Sequence, residues 1–201
     1  MKSLCLALLA ATLAFPAMSL AQPAPVPATS TQAANAQAGN WIVDPAKSHL
    51  GFSGTQTGAK FDGSFKHFNA QIAFDPAHPE IGHALVTIDI ASAVTGDTQR
   101  DEAIPGADWF DTKDFPKAVF EAKSFQSKGA GQYVAAGTLT IRGISHPAML
   151  PFTLEISGAT AHAKGRMELI RTQFGIGQGA WASGQWVALE VGVDVDLFAS
   201  R

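Results

Sequence analysis

The chain has 201 residues, of which 46% are apolar, and a formal net charge of −3. A weakly acidic chain has no net positive charge with which to attract nucleic acid or anionic lipid. Its one cysteine, Cys5, lies in the N-terminal apolar run. Thiolate metal sites, cysteine nucleophiles and disulfides are therefore excluded from the rest of the chain.

The N-terminal residues are expected to lie outside the folded domain. Residues 1–21 carry a lysine at position 2, continue through the apolar run Leu4–Phe15 and end at a small-residue cleavage site. This is the pattern of a secretory signal peptide, so we expect a periplasmic protein. Residues 22–39 are rich in Pro, Ala, Ser, Thr and Gln, which favours a disordered leader. Residues 40–201 are then expected to form the folded domain.

From Trp41 onward the apolar residues recur with a period of two, which is typical of β-strands. We expect a bend near Gly63, because Phe61, Phe65 and Phe74 do not all share one parity. The last strand is the most regular. The predicted strands are Trp41–Ser53, Lys60–Asp75, His83–Ala91, Lys117–Phe125, Tyr133–Arg142, Ala148–Ile156, Ala161–Leu169 and Trp186–Leu197, with turns at 143–146 and a glycine-rich loop at 172–184.

About eight antiparallel strands joined by short turns fit either a closed barrel or a sandwich. We favour the barrel, because the strands follow one another as a meander and closure removes the edge strands. Small residues recur at positions predicted to face inward, and filled cores prefer bulk there. The sequence therefore favours an internal cavity; these small residues are Ala135, Gly137, Ala161, Ala163 and Gly165.

The stretch Thr95–Phe120 is the longest interruption of the strand pattern. Its first part, Thr95–Glu102, is charged and can form a short helix, and its second part contains Trp109, Phe110, Phe115 and Phe120. A long irregular segment within a compact β domain is usually a lid or binding loop. The alternative is a plug that only covers one end of the barrel.

Motifs that would carry catalysis or metal binding do not stand out. The six histidines form no metal-ligand pair, and the five aspartates between Asp97 and Asp114 lack the EF-hand spacing. The run Gly175-x-Gly177-x-Gly179 lies between two strands and not at a strand-to-helix turn, so it is not a dinucleotide fingerprint. No G-x-S-x-G elbow occurs. We expect no metal site, no cofactor and no enzymatic activity.

Several short motifs together resemble the YceI family of exported, lipocalin-like polyisoprenoid-binding proteins. The motifs are Trp41-x-Val-Asp-Pro-x-Lys-Ser-His-Leu50 with Phe52, Gly63-x-Phe-x-x-Phe68, Phe74-Asp-Pro76, Ile88-Asp-Ile-Ala-Ser92, Arg100-Asp101, Trp109-Phe110-Asp111 with Phe115-Pro116, and Gly137-Thr-Leu-Thr-Ile-Arg-Gly143. The resemblance implies an all-β, eight-stranded antiparallel, lipocalin-like barrel with a short helical lid segment.

The resemblance also implies a ligand and partners. Proteins of this family are similar in holding the tail of an isoprenoid lipid, such as a polyprenyl or quinone chain. The short segment Phe52–Gly58 resembles the subgroup found beside membrane b-type cytochromes, which suggests a quinone-like ligand and such a cytochrome as a partner. A homodimer is a further possibility that the resemblance raises.

The candidate site residues follow from the lid and from this resemblance. Half of the tail candidates could instead be ordinary core, Asp101 could pair with Arg100 to hold the lid, and Arg142 could be an interior charge that meets a phosphate. The tail candidates are Phe52, Phe65, Phe110, Phe115, Phe120 and Phe152, and the mouth candidates are Arg100, Asp101, Trp109 and Arg142.

The leading hypothesis is a periplasmic carrier of one isoprenoid lipid. An alternative is a protein-interaction module of a membrane redox or stress-response system, with no obligate ligand. It would dock through the acidic outer face of the last strand, at Glu190, Asp194 and Asp196. An enzyme acting on a bound lipid would need a convergent acid–base pair, which the sequence does not show.

Overall fold

A computed structural model of the chain describes residues 39–201. The predicted signal peptide, 1–21, and the predicted leader up to residue 38 lie outside the described residues. The rest is mostly strand, as the period of two predicts. No helix between residues 39 and 201 has both the length and the apolar character needed to cross a membrane.

Within residues 39–201 most strands are joined by short connections, and one α-helix lies in the long segment between Val94 and Lys117. The α-helix, α1, is Thr98–Ala103. Short 3-10 turns occupy Pro79–Ile81, Ile90–Ser92, Arg171–Phe174 and Gly179–Trp181. The strands are β1 (Asn40–Val43), β2 (His49–Gln56), β3 (Ala59–Phe65), β4 (Phe68–Ala73), β5 (His83–Asp89), β6 (Ala93–Val94), β7 (Lys117–Gly129), β8 (Gln132–Ile141), β9 (Ile144–Ser157), β10 (Thr160–Ile170) and β11 (Glu190–Ser200).

Antiparallel pairing closes the sheet into a barrel. The order runs β1, β4, β5, β7, β8, β9, β10 and β11, and β1 then pairs with β11 to complete the ring. Further along the barrel wall, β2 takes the place of β1 in the ring and pairs with β11. β3 takes the place of β4 and pairs with β2. The segments therefore form the eight-stranded antiparallel barrel that the sequence predicts, which is confirmed.

Two predicted long strands are each broken in the structure. The first is interrupted by a turn after Asp44, whose carboxylate accepts a hydrogen bond from the Ala46 amide. The second is interrupted at Lys66–His67 and not at the predicted Gly63. This break shifts the side-chain parity by one, so Phe61 and Phe65 before it and Phe74 after it all face the barrel interior.

A bulge in β7 likewise changes the side-chain parity, so that apolar residues on both sides of it face the barrel interior. The register against β8 shifts between Ala122 and Ser124. Ala118, Phe120 and Ala122 face inward before the bulge, and Phe125 faces inward after it although its parity is opposite. A single extra residue thus lets the longer strand keep its apolar face on the barrel interior.

Two predicted boundaries are wrong by a few residues. The turn before β9 uses only Arg142 and Gly143, both at positive φ, so the strand begins at Ile144 and not after His146. Two-residue turns with this backbone match the twist of a hairpin. The last strand begins at Glu190, because Trp186 to Leu189 belong to the preceding loop and contribute only one isolated bridge, Gln56 to Val187.

The pairing between β9 and β10 stops partway along both strands. The ladder begins at the pair Ser157 and Thr160 and ends at the pair Phe152 and Gly165. On the other side of β9, the ladder to β8 extends over the whole length of β8. Hydrogen-bonded pairs alternate along the β8–β9 hairpin from Ile141 and Ile144, so the backbone nitrogens of Pro147 and Pro151 face β10. Proline has no N–H to donate, which explains why the ladder ends there.

Candidate functional site

The barrel encloses a cavity of about 520 Å³. This volume lies within the range of typical small-molecule sites. The inward side chains of successive strands line it, and nearly all of them are apolar. On β5 they are Ala84, Val86 and Ile88, on β10 they run from Ala161 to Leu169 at every second residue, and on β11 they are Val191, Val193, Val195, Leu197 and Ala199.

Small residues leave this space open on one side of the barrel. Ala135, Ala161, Ala163 and Gly165 line the cavity as the sequence predicts. Gly137 does not line it. A Cβ at Gly137 would lie 2.0 Å from the Glu121 carbonyl oxygen, so this glycine allows the close approach of β7 beside its bulge.

The end of the cavity near β1 is closed by aromatic rings. Phe74 contacts Phe125 and Tyr133 edge to face, with ring centroids 5.0 Å and 5.3 Å apart, and Phe152 stacks against Tyr133 at 5.6 Å. Trp41 covers this cluster and donates its indole N–H to the Phe74 carbonyl at 3.0 Å. Trp41, Phe74 and Phe125 are buried, so this end, which we call the floor, is solid.

The opposite end, the mouth, is bordered by α1. The Asp97 carboxylate caps the helix by accepting a hydrogen bond from the Arg100 amide at 3.0 Å. The Arg100 side chain donates to the Gln56 side-chain oxygen at 3.0 Å, lies 3.7 Å from the Asp97 carboxylate and stacks 4.7 Å above the Phe61 ring. Arg100 lines the cavity, so one cation and two polar side chains border the mouth here.

Asp101 has a different partner from the one considered in the sequence. Its Oδ1 accepts hydrogen bonds from both the amide and the hydroxyl of Thr95, each at 2.7 Å. The hydroxyl of Thr95 is the main reason that the pKa of Asp101 lies below its usual value. Asp101 does not line the cavity and ties α1 to the segment before it, whereas Arg100 pairs with Asp97.

The aromatic half of the lid divides between the cavity and its outside. Trp109 and Phe110 line the cavity, together with Ile104 from the start of the same loop. Phe115 does not line it and lies against the turn between β8 and β9, where Arg142 sits 5.9 Å from its ring. The other tail candidates, Phe52, Phe65, Phe120 and Phe152, all line the cavity.

Arg142 is also placed outside the cavity. Its guanidinium donates to the Ala107 carbonyl at 2.7 Å and to the Trp109 carbonyl, and lies 3.8 Å from the Asp111 carboxylate. These contacts hold the lid loop from its outer side. The expectation of an interior charge at Arg142 is therefore corrected: its role here is to anchor the loop that carries Trp109.

A buried arginine that the sequence reasoning missed lies at the mouth. Arg171 is only 3% exposed and lines the cavity, 5.5 Å from the Trp109 ring. Burial lowers its pKa, and among the described residues no carboxylate lies within 4 Å of its guanidinium. Its donors are satisfied by backbone carbonyls instead, those of Ile176, Gly177, Trp181, Val187 and Ala188.

Arg171 therefore fixes the segment that follows it. A buried charge is tolerated only when its hydrogen-bonding groups are satisfied, and five carbonyls surround this one. A Cβ at Gly177 would lie 1.8 Å from Nη1 of Arg171, so only glycine fits beside the guanidinium. The only sequence signal for this arrangement was the position of Arg171, between the last inward apolar residues of β10 and a glycine-rich loop without charged residues.

The acidic face proposed as a docking surface is largely paired on the barrel. Asp194 contacts Arg166 at 2.5 Å, and Asp196 contacts His162 at 2.7 Å and Lys164 at 3.4 Å. Neighbouring β10 residues thus offset most of the negative charge of β11. Within residues 39–201, no group of three or more His, Cys, Asp or Glu side chains is arranged to hold a metal ion.

Comparison with known proteins places this barrel in a family. Residues 41–199 match the YceI-like domain. A UPF0312 protein from Ectopseudomonas mendocina is 35% identical over 103 residues, a match that covers 51% of this chain and 51% of that protein. The chain thus aligns with about half the length of that relative.

Two solved structures share the fold. The crystal structure of Burkholderia cenocepacia BcnA has 37% sequence identity and a TM-score of 0.76, covering 79% of this chain and 99% of that one. A polyisoprenoid binding domain from Saccharophagus degradans has 16% identity and a TM-score of 0.64, covering 82% and 99%, and at that identity it speaks for the fold alone. Because the matched domain spans nearly all of the described barrel, the chain belongs to the YceI-like domain family.

Proposed function

We propose that this protein binds one lipid molecule with a long isoprenoid tail, such as a polyprenyl or quinone chain, and carries it through the periplasm. The observation that carries the proposal is the polarity of the cavity. Its walls and floor are mainly apolar, and most of its polar side chains lie at the mouth: Gln56, Asp97, Gln99 and Arg100 beside α1, and the buried Arg171 next to Trp109. This distribution complements an amphiphile whose tail lies inside and whose head group stays at the rim.

The energetics suit reversible carriage. Each methylene removed from water contributes about 0.8 kcal/mol, so one five-carbon isoprene unit contributes roughly 4 kcal/mol. A bilayer offers the same tail a comparable apolar environment. Transfer between membrane and barrel is then close to balanced, as a carrier requires. The choice of an isoprenoid tail rests on the resemblance to the YceI family, to which the matched domain assigns the chain.

Binding is favoured over catalysis by the state of the ionisable groups around the cavity. Among the described residues, those lining it are Asp97, Arg100 and Arg171. Asp97 caps α1 and faces Arg100, and the guanidinium of Arg171 is enclosed by carbonyls. We propose a binding protein without a catalytic pair. Export, a membrane b-type cytochrome as a partner and a homodimer stay predictions from the sequence.

The proposal is tested by native mass spectrometry of the protein isolated after mild extraction, followed by reloading with a prenyl lipid. A co-purified mass matching an isoprenoid supports it. Phe152→Glu places a charge among the tail contacts and should abolish uptake. Met149→Glu is the matched control, because Met149 lies on the same strand with its side chain outside and 61% exposed. Uptake that survives Phe152→Glu would remove this cavity as the binding site.

A second variant guards against loss of folding in the first. Ala163→Phe fills the cavity from a small inward position on β10 without introducing a charge. It should preserve the circular dichroism spectrum and reduce the length of tail that can be bound. An unchanged preference among prenyl lipids of different length would contradict a tail lying along the barrel.

A further inference from the structure

Two stretches of the chain on one side of the mouth contain no charged residue, and Arg171, which lies next to them, is buried. Charged residues make up 15% of the chain, yet none occurs from Thr172 to Leu189 or from Gly54 to Ala59. We call the two segments Gln178–Val187 and Gly54–Ala59 the uncharged lip. The α1 side of the same mouth is charged, with Asp97, Arg100 and Glu102.

The two parts of the lip form one surface. The Trp186 carbonyl accepts a hydrogen bond from the Thr57 amide at 2.8 Å, the Ala188 amide donates to the Thr55 carbonyl at 2.9 Å, and Gln56 bridges to Val187. Gln56, Trp181 and Val187 also line the cavity. The lip is therefore continuous with the opening through which a tail would pass.

Trp186 stands out on this surface. Its side chain is 50% exposed, whereas its neighbour Val187 is buried and faces the cavity. An indole ring has an apolar body and a single N–H donor, and tryptophan is enriched where apolar and aqueous phases meet. An exposed tryptophan at the rim of the cavity, with no charged residue in either stretch of the lip, matches that environment.

The lip is held in place before any partner arrives. Arg171 donates to the carbonyls of Trp181 and Val187, at 2.6 Å and 2.8 Å, and so fixes both ends of the loop that carries Trp186. The amides of Gly177 and Gln178 donate to the Asp108 carbonyl of the lid loop, each at 2.8 Å. A preorganised surface loses little conformational entropy on docking.

We propose that the uncharged lip docks onto the interface of a lipid bilayer with electrically neutral or zwitterionic head groups. The inference rests on the proposed function, because a lipid that the barrel carries has a bilayer as its source. A lip without cations gains nothing from anionic lipid, and the chain as a whole is acidic, so docking depends on insertion of Trp186 and not on salt. One inserted ring gives weak attachment, which lets the carrier leave.

The test uses phosphatidylcholine vesicles containing brominated lipid and the protein as the cell produces it. Trp186→Ser removes the proposed anchor. Ile42→Ser is the matched control, because Ile42 is 73% exposed and lies at the floor end, away from the lip. The unaltered protein and Ile42→Ser should float with vesicles and show quenched indole emission. Trp186→Ser should bind at least about tenfold more weakly. All three share one N-terminus, so their differences report on the exposed side chains.

Uptake of farnesol from solution separates this inference from the proposed function. Trp186 does not line the cavity, so Trp186→Ser should take up farnesol normally and acquire lipid from vesicles slowly. If no variant binds any prenyl compound, the proposed function is overturned. Binding to vesicles is measured independently and still tests the docking proposal. Equal flotation of Trp186→Ser and Ile42→Ser would overturn the docking proposal. So would binding that requires anionic lipid, or a vesicle-free dimer that Trp186→Ser dissociates.

Discussion

At the floor, Phe74 packs its ring against Phe125 and Tyr133, whereas at the mouth Arg171 gives its hydrogen bonds to the backbone carbonyls of a loop. The floor is held by apolar contact between strands, and its geometry follows from the barrel itself. The mouth is irregular, and single charged or polar side chains fix its backbone. The difference teaches that the two ends are held by different kinds of interaction, so mutations at the two ends should have separable effects.

The largest effect is expected at the floor. Phe74→Ala removes a buried ring that contacts two others, and such truncations cost about 3–5 kcal/mol. Denaturant unfolding of the ligand-free protein measures this loss. Ile42→Ala at the same end should change the free energy of unfolding by no more than about 0.5 kcal/mol, because Ile42 is exposed. Similar losses in both variants would show that the ring cluster is not what stabilises this end.

A smaller and more local effect is expected at the mouth. Arg171→Met keeps an apolar stem but leaves carbonyls of residues 176–188 without donors, at a cost of about 2–3 kcal/mol. Amide hydrogen exchange should accelerate along this loop while the floor amides keep their protection. Arg171→Lys should not restore protection, since one ammonium group cannot replace the planar guanidinium. Arg166→Met is the control, because Arg166 lies on the exposed outer face. Equal acceleration in both would contradict a special role for Arg171.

The smallest effect is a dependence on acid confined to the lid. The folded pKa of Asp101 lies below its ordinary value of 3.8, chiefly because the Thr95 hydroxyl donates to it. Its contribution is therefore fully present above pH 3.8 and is lost as the pH falls through the lower folded value. The amide signals of Thr95 and α1 should shift in this acid range in an NMR titration. Asp101→Asn should flatten that response, and an unchanged titration would exclude Asp101 as its source.

The sequence predicted the barrel walls well because alternation leaves little freedom. On β5, β10 and β11 an inward apolar residue recurs at every second position, and a slip of one residue would expose the whole set. The turn after Asp44 was not predicted, and the bend of the second strand was predicted at Gly63 but lies at Lys66–His67, because strands bend where barrel closure requires it. Closure is a property of all eight strands together, and no local pattern records it.

The mouth was less predictable because its partners are backbone atoms. The charged residues of the lid were visible in the sequence, yet Asp101 bonds to Thr95, and Arg142 bonds to carbonyls outside the cavity. Phe115 has the same chemistry as Phe110, and only the path of the loop separates the two. Arg171 belongs to no recognisable sequence motif. Its acceptors are backbone carbonyls, which every type of residue supplies, so the sequence does not reveal them.

The prolines of β9 limit the backbone pairing at one seam of the barrel wall. The backbone ladder between β9 and β10 ends beyond Phe152 and Gly165, because Pro147 and Pro151 have no N–H to donate. This seam therefore has a shorter ladder than the β8–β9 hairpin, which is paired over the whole length of β8. The circumference of the barrel is therefore less constrained along this seam than along the neighbouring β8–β9 seam.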